Sequence, residues 1–129
     1  MYKTENIEEI ANSYENLTGI KEKITSDFDD ILRAILKGEK AILVDLEWNE
    51  EIDGEFYKRN KIVINDIQET YIIFSNPIKR GDEVFGLLIS GENKGPDRKI
   101  NADMTQSINI DLFQNIFLNH NGKALVKNN

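Results

Sequence analysis

A chain of 129 residues, 40% of them hydrophobic, has the length and apolar content of one ordinary domain and can build a core without disulfide or metal. Its 23 acidic residues outnumber the 16 basic ones, for a net charge of −7. That balance argues against nucleic acid and against an anionic membrane surface, both of which call for clustered Lys and Arg.

The opening Met-Tyr-Lys-Thr-Glu lacks the apolar run of a signal peptide, and no apolar run approaches the roughly 18 residues that span a bilayer. A soluble, cytoplasmic protein is the expectation. The first predicted helix covers Glu5–Leu17. Ile7, Ile10, Ala11, Tyr14 and Leu17 share one face, Thr4 is a candidate N-cap, and Gly19 is the stop. A second helix is predicted over Asp27–Lys37, with an apolar stripe of Phe28, Ile31, Leu32, Ile35 and Leu36. Ser26 and Asp29 resemble a capping box and Gly38 ends the helix. Both helices are expected to pack on one sheet.

Ala41–Leu46 is apolar except for Asp45, the pattern of a central strand buried on both sides. The acidic run that follows, through Glu50, Glu51, Asp53 and Glu55, reads as a solvated loop turning at Asp53-Gly54. Lys61–Ile67 alternates, and Tyr71–Phe74 is a second short run closed by Asn76-Pro77; the two are expected to form an antiparallel hairpin. Phe85–Ile89 is a candidate further strand, and Ser90–Lys99, with Gly91, Gly95 and Pro96, a loop. Ser107 or Asn109 can cap a helix over Asp111–Asn119, which Asn121-Gly122 stops. Ala124–Val126 then reads as a short edge strand. The fold class is therefore a single α+β domain over residues 1–129. A mainly antiparallel sheet is expected, with two N-terminal helices and one C-terminal helix.

Chemistry-bearing patterns are few. With no cysteine there is no thiol nucleophile and no thiolate metal site. Ser75 stands at a strand end before Asn76, outside any Gly-x-Ser-x-Gly elbow. His120, the single histidine, falls at a helix C-terminus, where it can bond the last carbonyls. The acidic run lacks the calcium-loop spacing, since Glu50 occupies the position where a glycine is needed if Asp45 is first. Gly91 to Gly95 is not continued by the Gly-Lys-Ser/Thr of a phosphate loop. No cofactor and no metal is expected. Trp48, the sole tryptophan, either caps the core at a strand end or anchors a groove with Phe56, Tyr57 and Tyr71.

The succession of a helix, Gly38-Glu39-Lys40, Ala41-Ile-Leu-Val-Asp45, a spacer, Lys61-Ile-Val-Ile-Asn65 and Tyr71-Ile-Ile-Phe-Ser-Asn76-Pro77 resembles the peptidase C39-like group. Within it, the butirosin-biosynthesis H-type N-terminal domains are the nearest branch. Phe113 and Gly122-Lys123-Ala124-Leu125-Val126 are similar to the late helix and closing strand of that group. The resemblance covers roughly Asp27 to Val126 and implies a papain-like scaffold. It also implies a catalytic cysteine, which the chain lacks, and a base histidine opening the Lys61 strand, where Arg59, Asn60 and Lys61 stand instead. Asn76 occupies the neighbourhood of the orienting residue.

The functional expectation is a non-catalytic module of this kind that binds a peptide or carrier-protein segment, in peptide or secondary-metabolite biosynthesis. Its expected contact residues are Trp48, Glu50, Glu51, Asp53, Phe56, Tyr57 and Asn76. The alternative is a small acidic inhibitor or immunity-type protein that captures a basic protein partner, steered by charge. A third reading, an enzyme using Asp45, Asp66 or Glu69 with a metal, would be detected by metal content.

Overall fold

The computed structural model describes residues 6–39, 41–76 and 105–127. In chain order the elements are α1 (Ile7–Thr18), β1 (Glu22–Thr25), α2 (Phe28–Leu36), β2 (Ile42–Ile52), β3 (Glu55–Gln68), β4 (Tyr71–Ser75), β5 (Gln106–Asn109), α3 (Ile110–Asn119) and β6 (Lys123–Lys127). Among the described residues the strands form one six-stranded sheet in the order β1-β6-β2-β3-β4-β5, with every neighbouring pair antiparallel. This is the α+β, mainly antiparallel domain that the periodicity predicts.

The helix ends follow local chemistry. Asn6, rather than Thr4, caps α1: its side-chain oxygen accepts from the Glu9 amide at 2.8 Å, while Thr4 lies outside the described residues. Gly19, at φ 75°, stops the helix and donates to the Glu15 carbonyl. Asp27 replaces Ser26 as the cap of α2, accepting from the Asp29 amide at 3.0 Å. The far end of α2 is a Schellman motif: Gly38, at φ 89°, donates to Ile35 and Glu39 donates to Ala34. The Glu39 carboxylate then accepts from the Lys127 amide at 2.9 Å, so the same turn fastens α2 to the end of β6. Asn109 caps α3 as anticipated, accepting from the amides of Asp111 and Leu112. At the other end of α3, Asn121 takes the left-handed conformation and the Gly122 amide bonds the Phe117 carbonyl.

Both faces of the sheet are covered. Ile7, Ile10 and Tyr14 of α1 bury Leu43, Val63 and Leu125 on one face. On the other, Phe28 and Ile31 of α2 and Phe113 and Phe117 of α3 pack on Ile42, Val44, Ile62, Ile64, Ile72 and Ala124. The two N-terminal helices do share one sheet, but from opposite sides. Strand β2 contributes to both clusters, because successive side chains of a strand point to opposite faces.

Three expectations need correction. Strand β1 was not anticipated; its four residues, Glu-Lys-Ile-Thr, form an edge by pairing with β6. Strand β5 was likewise missed and forms the other edge, beside β4, among the described strands. Strand β6 is not an edge strand: it lies between β1 and β2, and Ala124, Leu125 and Val126 are all buried. Its unbroken apolar run is the signature of an interior strand. The candidate strand Phe85–Ile89 and loop Ser90–Lys99 lie outside the described residues.

A small charged cluster ties the β1 edge to α2. Asp30 accepts from the Thr25 hydroxyl at 2.6 Å, from Arg33 Nη2 at 2.6 Å and from Lys23 Nζ at 3.2 Å. These donors, the Thr25 hydroxyl first, hold the Asp30 carboxyl well below the usual carboxylate range.

Replacing Leu43, fully buried between α1 and the sheet, with Ala is expected to cost about 2–5 kcal/mol of stability, read as a shift in the urea midpoint. A shift worth less than about 0.5 kcal/mol would mean that β2 is not the central buried strand. Because the folded-state pKa of Asp30 is depressed, its contribution is present above the ordinary carboxyl pKa and is lost as pH falls towards the folded value. Asp30→Asn should therefore be less stable than wild type at pH 7. The gap in urea midpoint should narrow as the pH drops below about 4. A gap independent of pH would remove the ionised carboxylate from the account.

Candidate functional site

The acidic segment after Ala41–Leu46 is not a loop. It is the outer half of a long hairpin in which β2 and β3 pair from Ile42↔Ile64 out to Ile52↔Glu55. Strand β6 accompanies β2 only at Leu43, Val44 and Asp45, and β4 accompanies β3 only from Val63 onward. Among the described residues the two strands therefore pair only with each other from Trp48 to Arg59 and form an arm leading out of the six-stranded sheet. A bulge between Asp45 and Trp48 marks the base of the arm.

The tip turns through two residues, Asp53 at φ 51° and Gly54 at φ 82°. Two successive positive φ values are those of a type I′ turn, whose twist matches paired strands and which Asp-Gly favours. Asp-Gly between segments with alternating apolar positions (Leu46 and Trp48 against Glu47 and Asn49) was the sequence signal for a hairpin. Read as punctuation between loops, it hid the arm.

The expected contact residues separate in this geometry. Glu50, Glu51 and Asp53 lie on the arm beside its turn, and Glu51 and Asp53 are exposed. Phe56 and Tyr57 stand opposite Glu51 and Glu50 in register. Trp48 is a correction. It is only 6% exposed and packs on Phe74, with ring centroids 5.7 Å apart, and edge-on to Phe113 at 6.5 Å. Its ring is part of the core beneath α3, not a surface anchor. Tyr71 does not join it either. Ile72 and Phe74 share Trp48's cluster, so strand alternation directs Tyr71 to the opposite face. The register also sets Tyr71 beside Gln68, at the end of β3 away from Phe56 and Tyr57. One concavity lined by Trp48, Phe56, Tyr57 and Tyr71 is thereby ruled out. Asn76 follows β4, half-buried and remote in register from the arm tip.

At the base of the arm Asp45 faces Lys61 across β2–β3 and Lys123 across β2–β6. Lys61 Nζ lies 3.7 Å from Asp45, and its side chain is 3% exposed. Lys123 Nζ reaches Glu8 of α1 at 3.0 Å, and that hydrogen bond lowers the Glu8 pKa. This alternation of charge is structural: it lets polar side chains cross the sheet beside the apolar cluster under α1. Ser75 is buried and accepts from the Asn65 side-chain amide at 2.8 Å. At His120 the backbone makes the bonds: its amide donates to the Ile116 carbonyl, and its carbonyl accepts from the Glu47 amide at 3.0 Å. Among the described residues, no three or more of His, Asp and Glu come together as a metal would need, and no helix is long and apolar enough to cross a membrane.

No protein-family model, curated protein or solved structure matches this chain. The site therefore stands on its own geometry, and its prominent feature is an acidic two-stranded arm.

A side chain at Gly54 would meet no neighbouring atom, so Gly54→Ala exposes the backbone cost alone, about 1–2 kcal/mol for a left-handed residue. That cost is felt only while the turn is formed. Amide exchange from Trp48 to Arg59 should therefore quicken roughly 5–30-fold, and the urea midpoint should fall by the equivalent of the same about 1–2 kcal/mol. Unaltered exchange in the arm would show that the turn does not hold it.

Proposed function

We propose that this protein is a non-catalytic binding module that captures a basic protein partner through the acidic tip of the β2–β3 arm. The observation that carries the reading is the arm itself. From Trp48 to Arg59 it holds Glu50, Glu51, Asp53 and Glu55 grouped about the turn, with its two bases, Lys58 and Arg59, set back at its root opposite Asn49 and Trp48. Carboxylates on a projecting hairpin concentrate negative potential where an approaching partner meets it first, which raises the association rate more than the final affinity. The net charge of −7 adds to the same field. An inhibitor or immunity-type role fits a small domain whose recognition element is a paired ribbon, because less backbone entropy is lost on docking than by an unpaired loop.

The C39-like resemblance supplies the other form of the proposal, a scaffold that retains peptide or carrier-protein recognition without its chemistry. The absence of cysteine supports the second half of that reading, since no thiol is present to attack a carbonyl. Burial of Trp48 takes away the aromatic anchor expected of its groove, so the acidic arm is the better supported contact surface.

The test is affinity capture from the native host with wild type and with the Glu50→Lys, Glu51→Lys, Asp53→Asn triple variant, in which Asn removes the charge and keeps the left-handed turn residue, followed by on-rates for the captured partner across a salt series. A basic partner should be captured by wild type. Its on-rate should fall steeply with salt and by about tenfold or more in the variant, while fold stability changes little. An on-rate indifferent to both salt and mutation would remove the arm from the interface. Turnover of a peptide or thioester substrate by the purified protein would overturn the non-catalytic reading.

A further inference from the structure

The strand that ends in the acidic arm begins beside a cleft of the opposite charge. Where β1, the last residues of β6 and the C-terminal half of α2 meet, a cleft of about 170 Å³ is lined by Lys23, Asp30, Arg33, Lys37, Glu39 and Lys127, with Ala34 and Val126 at its apolar side. Four cations and two carboxylates thus surround a small concave space in a chain that is acidic overall.

The two carboxylates are already committed within the protein. Asp30 takes the Thr25 hydroxyl, Arg33 and Lys23, and Glu39 takes the Lys127 backbone amide. Asp30 also fixes where Lys23 and Arg33 stand, so two of the cations are held at the rim by a carboxylate that does not neutralise all four. Among the described residues Lys37 and Lys127 form no ion pair with a carboxylate. Counting Asp27, which lies 3.9 Å from Arg33, four cations meet three carboxylates; the surplus is one positive charge, and Lys37 and Lys127 are the cations that carry it. Glu39 and the Schellman turn keep their backbones in place, because they join the end of α2 to the end of β6.

We propose that this cleft binds a small dianion of the phosphate class, either inorganic phosphate or the phosphate group of a monoester. A guanidinium presents paired N–H donors suited to phosphate oxygens, and the lysine ammonium groups add point charges around it. The space suits one such group, and the lining offers donors on several sides. An elongated acidic peptide would need a longer positive track than these residues supply. The proposal is independent of the arm: the arm attracts cations, the cleft takes an anion, and β2 separates them, with Glu39 three residues before its first residue and Asp53 directly after its last.

The experiment titrates inorganic phosphate into the full chain at pH 7.5 and constant ionic strength, followed by amide chemical shifts, with chloride as the ionic-strength control. Saturable shifts confined to the neighbourhoods of Lys23, Arg33–Glu39 and Val126–Lys127 are expected, with an apparent Kd in the millimolar range or tighter. The Lys37→Gln, Lys127→Gln double variant should bind at least tenfold more weakly, and Lys37→Arg with Lys127→Arg should restore binding. A nucleoside monophosphate binding more tightly than phosphate assigns the monoester as ligand; equal or weaker binding assigns the free ion. Shifts that chloride reproduces, shifts centred on other residues, or equal binding by succinate would each overturn the proposal. The wild-type titration and its controls decide the matter even if the double variant does not fold.

Discussion

Strand β2 is apolar on both sides, and both sides have to be covered. Leu43 faces α1, while Ile42, Val44 and Leu46 face α2 and α3. A strand with no solvent side forces helices onto both faces of the sheet and forces strands onto both of its edges, here β6 and β3. The rest of the architecture follows from that requirement. Helix α1 is held against β1 and β6, helices α2 and α3 close the other face through Phe28, Phe113 and Phe117, and the short strands β1 and β5 complete the edges.

The same strand changes character along its length. It starts as core, passes Asp45 and its lysine neighbours at the edge of the covered region, and finishes as one side of an acidic ribbon. The bulge beyond Asp45 falls where β6 stops accompanying it. Among the described residues Trp48 is the last of β2 in the core cluster, and its contacts with Phe74 and Phe113 anchor the root of the arm to the domain. A two-stranded ribbon alone is marginal in water, so this anchorage and the Asp53-Gly54 turn together hold its shape. The tryptophan thereby fixes the root of the arm to the core.

Charge is distributed along the molecule with the same economy. Acidic residues gather about the turn of the hairpin. Lysines collect where α2 and the end of β6 leave a cleft. A net charge of −7 describes neither region. Both the proposed capture of a basic partner and the proposed anion site depend on where the fold sets these charges down, since screened interactions are felt only over about a Debye length of 8–10 Å.

What the sequence by itself determined is the set of features that depend on neighbouring residues. The apolar stripes of α1, α2 and α3, the stops at Gly19 and Gly38, the Asn109 cap and the buried run of β2 all come from contacts within a few residues, so they could be read along the chain. The Asp53-Gly54 turn belonged with them, but only pairing shows that the acids around it are strand and not loop. Tertiary structure alone decided the rest. Glu22–Thr25 is a strand because Ala124–Lys127 offers it a hydrogen-bonding edge, and Gln106–Asn109 because Tyr71–Phe74 does. Ala124–Val126 is interior because β1 comes to lie beyond it, and Trp48 is core because Phe74 and Phe113 arrive from distant parts of the chain. The cleft brings together Lys23, Arg33, Lys37 and Lys127, which no spacing in the sequence connects. Short strands carry too few side chains to declare a period, and their backbone groups are satisfied only by a partner, so their existence and their chemistry are settled when the sheet forms.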